Sequence, residues 1–223
     1  MERAMTTAPP STAAPAAGSA KAAPGRPRLT GPQAVAARQL VAAAAALPVS
    51  ADARLFALVL AVRAARTGWA NVTCQDLRRY ANPHGVLDEL LAGGWITADD
   101  DRDPHRVVDA DPADALPLQA GGLTGLVDPP MGELMRSRVS GWITRTSAAK
   151  PLKKTDAAAR LLALALVLDA DPTTGRGHLP DDLPEQVLAA LTPKWIVLLD
   201  GGGYQLTDAA ADTLPVYQPT PQA

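Results

Sequence analysis

Apolar and polar positions along this chain follow mostly helical spacing, interrupted by short stretches that are typical of turns and strands. Residues 55–62 are apolar without a break, which predicts a helix buried on nearly every side, with Ser50 or Asp52 as its cap. After a short strand, residues 73–76 form a capping sequence, which predicts a second helix over residues 74–80. These two helices begin a pattern that the chain later repeats.

A third helix and a hairpin complete the pattern. The third helix is predicted from Pro83 to the pair Gly93 and Gly94, because proline suits a first helical turn and glycine suits a helix end. Residues 95–97 and 106–108 then predict two short strands. We expect these strands to pair with each other.

The chain contains a shorter, degraded second copy of this pattern. Residues 159–164 match residues 53–58, and residues 195–196 match residues 95–96. The second copy has fewer residues between its first helix and its hairpin. Its hairpin, over residues 195–207, is nonetheless the clearer of the two because a run of three glycines marks the turn.

The repeated order of apolar helix, capped helix, third helix and hairpin resembles the winged helix-turn-helix superfamily over residues 51–110 and 155–214. The resemblance implies a mainly α fold with small β-hairpin wings, of the α+β class, with two tandem winged-helix domains joined by a basic helical linker. The expected order is a disordered Ala/Pro-rich tail (1–31), a first winged-helix domain with an extra N-terminal helix (32–114), a linker with a basic helix (115–154), a second winged-helix domain (155–214) and a C-terminal tail (215–223). The extra helix either packs across a dimer or adds to the core.

Charge is distributed unevenly along a chain whose formal net charge is −2. Residues 99–114 hold seven aspartates and two arginines, and residues 156–214 hold nine acidic and three basic side chains. Residues 136–154 carry six cations, which we call the basic belt: Arg136, Arg138, Arg145, Lys150, Lys153 and Lys154. A polyanion partner must therefore be recognised by a local patch.

The resemblance implies where DNA would be contacted, because members of the superfamily mostly place the third helix in the major groove. The positions of that helix expected to be exposed are His84, Asp88 and Glu89, and the two carboxylates would face phosphates. These carboxylates therefore argue against the usual docking, in which the third helix enters the major groove. The candidate contacts are Gln75, Arg78, Arg79 and His84 together with the basic belt.

Two hypotheses about function follow. The first is a cytoplasmic, dimeric protein that binds double-stranded DNA, as a transcriptional regulator or a plasmid or phage replication or partition factor. The second is a protein–protein interaction or adaptor module, in which the acidic second domain docks a protein partner or its own twin. Residues 75–79 could also be a plain solvated helix face, and the basic belt could pair with the acidic residues 99–103 of its own chain.

Signals for other classes of protein are weak. The single cysteine, Cys74, excludes an intramolecular disulfide and fits a reducing cytoplasm. The longest apolar runs are too short to cross a bilayer, so no membrane partner is expected. The three histidines lack zinc-site spacing, and residues 121–125 lack the strand and helix that flank a phosphate loop. We therefore expect no enzyme activity, no cofactor and no metal.

Overall fold

The computed structural model describes residues 25–98 and 102–218, which form a mainly helical α+β structure with small sheets. The helices are α1 (Gly31–Ala45), α2 (Ala51–Ala64), α3 (Cys74–Leu77), α4 (Pro83–Ala92), α5 (Arg106–Asp109), α6 (Gly121–Thr124), α7 (Glu133–Ser147), α8 (Ala157–Asp169), α9 (Glu185–Leu191) and α10 (Asp208–Ala211). The strands are β1 (Arg28–Leu29), β2 (Trp69–Val72), β3 (Thr97–Ala98), β4 (Leu116–Gln119), β5 (Arg176–His178), β6 (Ile196–Leu198), β7 (Gly203–Leu206) and β8 (Val216–Tyr217).

The N-terminal unit, residues 51–124, is built around α2. The Ser50 side chain accepts a hydrogen bond from the Ala53 amide and so caps this helix, as predicted. The helix is buried on nearly every side, and Phe56, Leu58 and Leu60 are among its fully buried residues. An antiparallel sheet in the order β2–β4–β3 follows, with α3 and α4 between its first two strands in the chain.

The prediction for the second strand of the first hairpin was wrong. Residues 106–108 lie in the short helix α5, and β3 pairs instead with β4, which falls inside the segment predicted to be a linker. Val107, one of the apolar residues that suggested a strand, is instead buried in the core from helix α5. The strand β4 lies at the centre of the sheet, where Leu118 is fully buried.

Several predicted boundaries also differ from the structure. The helix predicted over residues 74–80 ends at Leu77, and the strand predicted over residues 95–97 is Thr97–Ala98. The helix that carries the basic belt was predicted to reach about residue 146 and ends at Ser147.

The C-terminal unit, residues 157–211, repeats the same arrangement with fewer elements. The Asp156 side chain accepts a hydrogen bond from the Ala159 amide and caps α8. The sheet has the order β5–β7–β6, with the same connectivity as the N-terminal sheet. One helix, α9, lies between β5 and β6 where the N-terminal unit has two, which agrees with the predicted loss of residues in the second copy.

Both predicted tails contain ordered residues. Strand β1 pairs in parallel with β8, so Arg28 and Leu29 do not belong to an N-terminal tail, and Val216 and Tyr217 do not belong to a C-terminal one. The pairing is stabilised because Leu29 is buried against the core. The remaining tail residues 1–24 and 219–223 lie outside the described part of the chain.

A shared core joins the two units. Helix α1 packs against α2 and against α8. It therefore adds to the core of its own chain, which was one of the two roles predicted for it. Helix α7 packs on the same two helices, and its Trp142 indole donates a 2.7 Å hydrogen bond to the Thr213 carbonyl. None of the helices in the described ranges is long and apolar enough to cross a membrane.

Candidate nucleic-acid interface

Helix α3 is held in place by an ion pair at its first turn. The Arg63 guanidinium donates two 2.8 Å hydrogen bonds to the two carboxylate oxygens of Asp76, and Thr73 donates its amide and hydroxyl to the same carboxylate. Burial raises the pKa of Asp76, but the hydrogen bonds and charge of Arg63 and the bonds from Thr73 outweigh it, so the pKa lies below its usual value. The start of α3 is therefore rigidly placed.

The three predicted contact residues in this region differ in their exposure. Gln75 and Arg78 are exposed, whereas Arg79 is half-buried and its Nε donates a 3.1 Å hydrogen bond to the Asp76 carbonyl. Within the described residues, neither Arg78 nor Arg79 forms an ion pair with a carboxylate. Their positive charges are therefore available to a polyanion.

The basic belt lies on α7 and the turn that follows it. Helix α7 places Val139, Trp142 and Ile143 in the core. Five of the six belt cations are exposed: Arg138, Arg145, Lys150, Lys153 and Lys154. Arg136 is half-buried, and its Nη1 atom is buried without a hydrogen-bond partner in the described structure.

The belt makes few polar contacts with its own chain. Arg145 donates a 2.6 Å hydrogen bond from Nη2 to the Gly25 carbonyl. The three ion pairs among residues 25–98 and 102–218 join Arg38 to Asp169, Arg63 to Asp76 and His105 to Asp88. None of them involves the belt. The predicted alternative was pairing of the belt with residues 99–103. Residues 99–101 lie outside the described part of the chain, and within it Asp103 forms no ion pair.

Two hydrogen bonds join the belt region to the neighbouring helices α2 and α8. On α7, Ser140 lies one turn after Arg136, and its hydroxyl is 3.4 Å from the Nε of Arg63, the partner of Asp76. At the other end of the belt, Arg160 donates a 3.2 Å hydrogen bond to the Lys153 carbonyl.

The buried Tyr80 lies just beyond α3 in the chain. Burial raises its pKa, while the charges of Arg79 and Arg160 act in the opposite direction. Through Arg63, which contacts both Ser140 and Asp76, the helix that carries the first half of the belt is connected to α3.

His105, which immediately precedes α5, contacts two exposed side chains of α4, His84 and Asp88. His84 and His105 stack with ring centroids 5.3 Å apart, and their Nδ1 atoms are 3.2 Å apart. His105 also lies 3.1 Å from the Asp88 carboxylate, while Glu89 accepts a hydrogen bond from the Ser50 amide. The predicted contact residue His84 is exposed, as expected, and it also contacts His105 of its own chain.

Sequence reasoning missed two residues that shape this region, Arg63 and Arg160. Their partners, Asp76 and Lys153, lie on separate elements, so no local sequence signal marks them. Among the described residues, no group of three or more histidine, cysteine or acidic side chains is arranged to hold a metal ion. No family model, curated protein or solved structure matches this chain.

Proposed function

We propose that the chain is a non-enzymatic protein that binds double-stranded DNA through α3 and the basic belt, on a scaffold of two tandem winged-helix domains. The scaffold assignment is supported by the connectivity of both units. In each unit, a buried helix leads into the first strand of a three-stranded sheet. The third strand lies at the centre of this sheet and pairs with the first and second strands, which form its two edges. One or two helices lie between the first and second strands, where a winged helix has its helix-turn-helix.

The observation that carries the proposal is the exposed belt without carboxylate partners in the described residues, which begins on a helix in contact with Arg63, the ion-pair partner of α3. Each cation that neutralises a phosphate releases condensed counterions, which is the main source of affinity in non-specific DNA binding. Arg78 and the half-buried Arg79 of the α3 segment, counted with the five exposed belt residues, give seven cations for the proposed surface. A local patch of this kind can bind DNA despite the overall net charge of −2.

The proposed docking differs from the usual one, in which the third helix enters the major groove. Helix α4 presents the carboxylate of Asp88, and its exposed His84 is stacked on His105. Gln75, exposed in the first turn of α3, could instead read a base edge, because glutamine pairs with adenine through two hydrogen bonds. Sequence preference would then reside in α3 and affinity in the belt.

The proposal is tested by fluorescence anisotropy with a mixed-sequence duplex at about 50 mM salt, where phosphate contacts are strong. The belt variant changes all six belt cations to Gln. The matched control changes six exposed cations elsewhere to Gln, namely Arg28, Arg66, Arg102, Arg106, Arg176 and Lys194. Both variants have the same net charge. We expect the affinity of the belt variant to fall at least a hundredfold and that of the control less than tenfold, and equal decreases would contradict a localised interface.

A second candidate function, a protein-interaction module, is favoured by the edge strand β6. Val197, Leu198 and the adjoining Leu199 are 39–46% exposed, and β6 has only one neighbour in its sheet. An apolar edge strand can pair with another chain, including a second copy. Analytical ultracentrifugation tests this: a dimer formed through β6 should dissociate in Val197→Lys and persist in Asp200→Lys, which lies just beyond the strand. Absence of DNA binding at low salt would leave this function as the better one.

A further inference from the structure

An apolar cavity of about 400 Å³ lies where α1, α2, α8 and residues 180–187 meet. It is separate from α3 and from the basic belt. Its volume is within the range of cavities that hold small molecules, which is about 300–1,000 Å³. The cavity lies between the two repeated units because α2 belongs to one and α8 to the other.

The walls of the cavity are apolar, and small side chains leave the space open. Leu161 and Leu162 line it from α8, and Val187 lines it from α9. Ala42 and Ala45 leave room on the α1 side, where a larger side chain would fill the volume. A ligand must therefore bring an apolar body that takes up most of this space.

Three charged side chains line the cavity, and together they leave one positive charge. Arg38 is paired with Asp169 at 3.3 Å and donates a 2.9 Å hydrogen bond to the Leu168 carbonyl. Arg54 donates its Nε to the Leu47 carbonyl at 2.8 Å and forms no ion pair within the described residues. The terminal nitrogens of Arg54 therefore offer donors in the forked geometry that suits a carboxylate.

We propose that this cavity binds a small amphipathic carboxylate, with its apolar chain against Leu161 and Leu162 and its carboxylate on Arg54. The proposal is independent of DNA binding, and its test uses no nucleic acid. A positively charged apolar ligand should be rejected because the cavity would place its charge beside an unpaired arginine. A neutral analogue of the same shape should bind, but more weakly.

The test is isothermal titration calorimetry of the full chain with decanoate, decanamide and decyltrimethylammonium, each below its micelle concentration. Wild-type protein should bind decanoate roughly tenfold more tightly than decanamide, since a hydrogen-bonded charge contributes on the order of 1.5 kcal/mol. Arg54→Gln should remove this difference and Arg54→Lys should keep most of it. Two results would overturn the proposal. One is equal affinity of the wild type for decanoate and decanamide. The other is no saturable binding of decanoate up to about 1 mM, a concentration that corresponds to only about 4 kcal/mol of binding energy.

The position of the ligand is tested by filling the cavity from an exposed residue. Ala42→Phe should weaken decanoate binding at least tenfold, because the ring occupies the space of the apolar chain. Gln39→Phe is the matched control, since Gln39 is exposed on the same helix and does not line the cavity. Decanoate should bind this control as it binds the wild type, and equal effects of the two substitutions would show that the carboxylate binds elsewhere. Thermal unfolding of both variants checks that the fold is retained.

Discussion

Arg63 and Asp76 hold three parts of the N-terminal unit together. The guanidinium of Arg63 reaches from α2 to Asp76 in α3 and also donates a 2.9 Å hydrogen bond to the Asn71 carbonyl in β2. The two side chains are only 24% and 13% exposed, so removing one partner leaves the other poorly hydrated. The cap at Thr73 is local and could be predicted from sequence, whereas Arg63 could not, because only the fold brings it to Asp76.

We expect Asp76→Asn to lower the free energy of unfolding by about 2 kcal/mol at pH 7, because it removes a hydrogen-bonded charge and part of a helix cap. Since the pKa of Asp76 is lowered in the folded protein, its stabilisation is present above the unfolded pKa and is lost as the pH falls through the folded one. The difference between wild type and variant should therefore shrink below about pH 4. Urea unfolding followed by circular dichroism at pH 7 and pH 3 measures it.

The control for this prediction is Asp128→Asn, at an exposed aspartate that makes no ion pair in the described residues. We expect it to change stability by less than about 0.5 kcal/mol. If the two substitutions were equally mild, the ion pair would not be stabilising α3.

At the scale of elements, the region after β3 shows the limit of sequence reasoning. The helix caps at Ser50 and Thr73 were predicted because capping depends on neighbouring residues. Strand β4 was missed because it is short, contains Pro117 and is defined by its pairing with β2 and β3. Glycine and proline around it suggested a linker, although the glycines in fact permit close packing.

Gly122 in α6 is the position where this packing is closest. A Cβ there would lie 2.6 Å from the Gly94 carbonyl oxygen and 2.8 Å from the Trp95 Cα, both backbone atoms that cannot move aside easily. We expect Gly122→Ala to destabilise the protein by about 1–3 kcal/mol. Gly121→Ala, with no atom within 4 Å of its Cβ, should be neutral or stabilise slightly.

Thermal or urea unfolding of the two glycine variants distinguishes a packed element from a linker. A loose linker over residues 115–130 would tolerate both substitutions equally. Equal stability of the Gly121→Ala and Gly122→Ala variants would therefore contradict the close contact of α6 with the turn that follows α4.

For the whole molecule, the internal repeat predicted a hairpin in each unit. The predicted pairing is found in the second unit, as β6–β7, but not in the first, and the packing of the two units on each other was not predicted. The matching residues 53–58 and 159–164 lie in α2 and α8, which pack directly on each other, with α1 and α7 against both. The parallel pair β1–β8 then joins the two ends of the described chain. These contacts depend on residues far apart in sequence, so no periodic pattern marks them. The packing of α7 on α2 thereby connects the basic belt to α3 through Arg63, although the two are separated in the chain.

The salt dependence of DNA affinity tests the central claim, that α3 and the basic belt form one polyanion-binding surface. The measurement is the slope of the logarithm of the binding constant against the logarithm of salt concentration, between about 50 and 200 mM, for wild type, belt variant and control variant. Removing the cation that neutralises one phosphate should flatten the slope by about 0.9. We predict a slope flatter by about 3–5 in the belt variant, and by less than about 1 in the control. Three parallel lines, or no binding by the wild type at the lowest salt, would contradict the account.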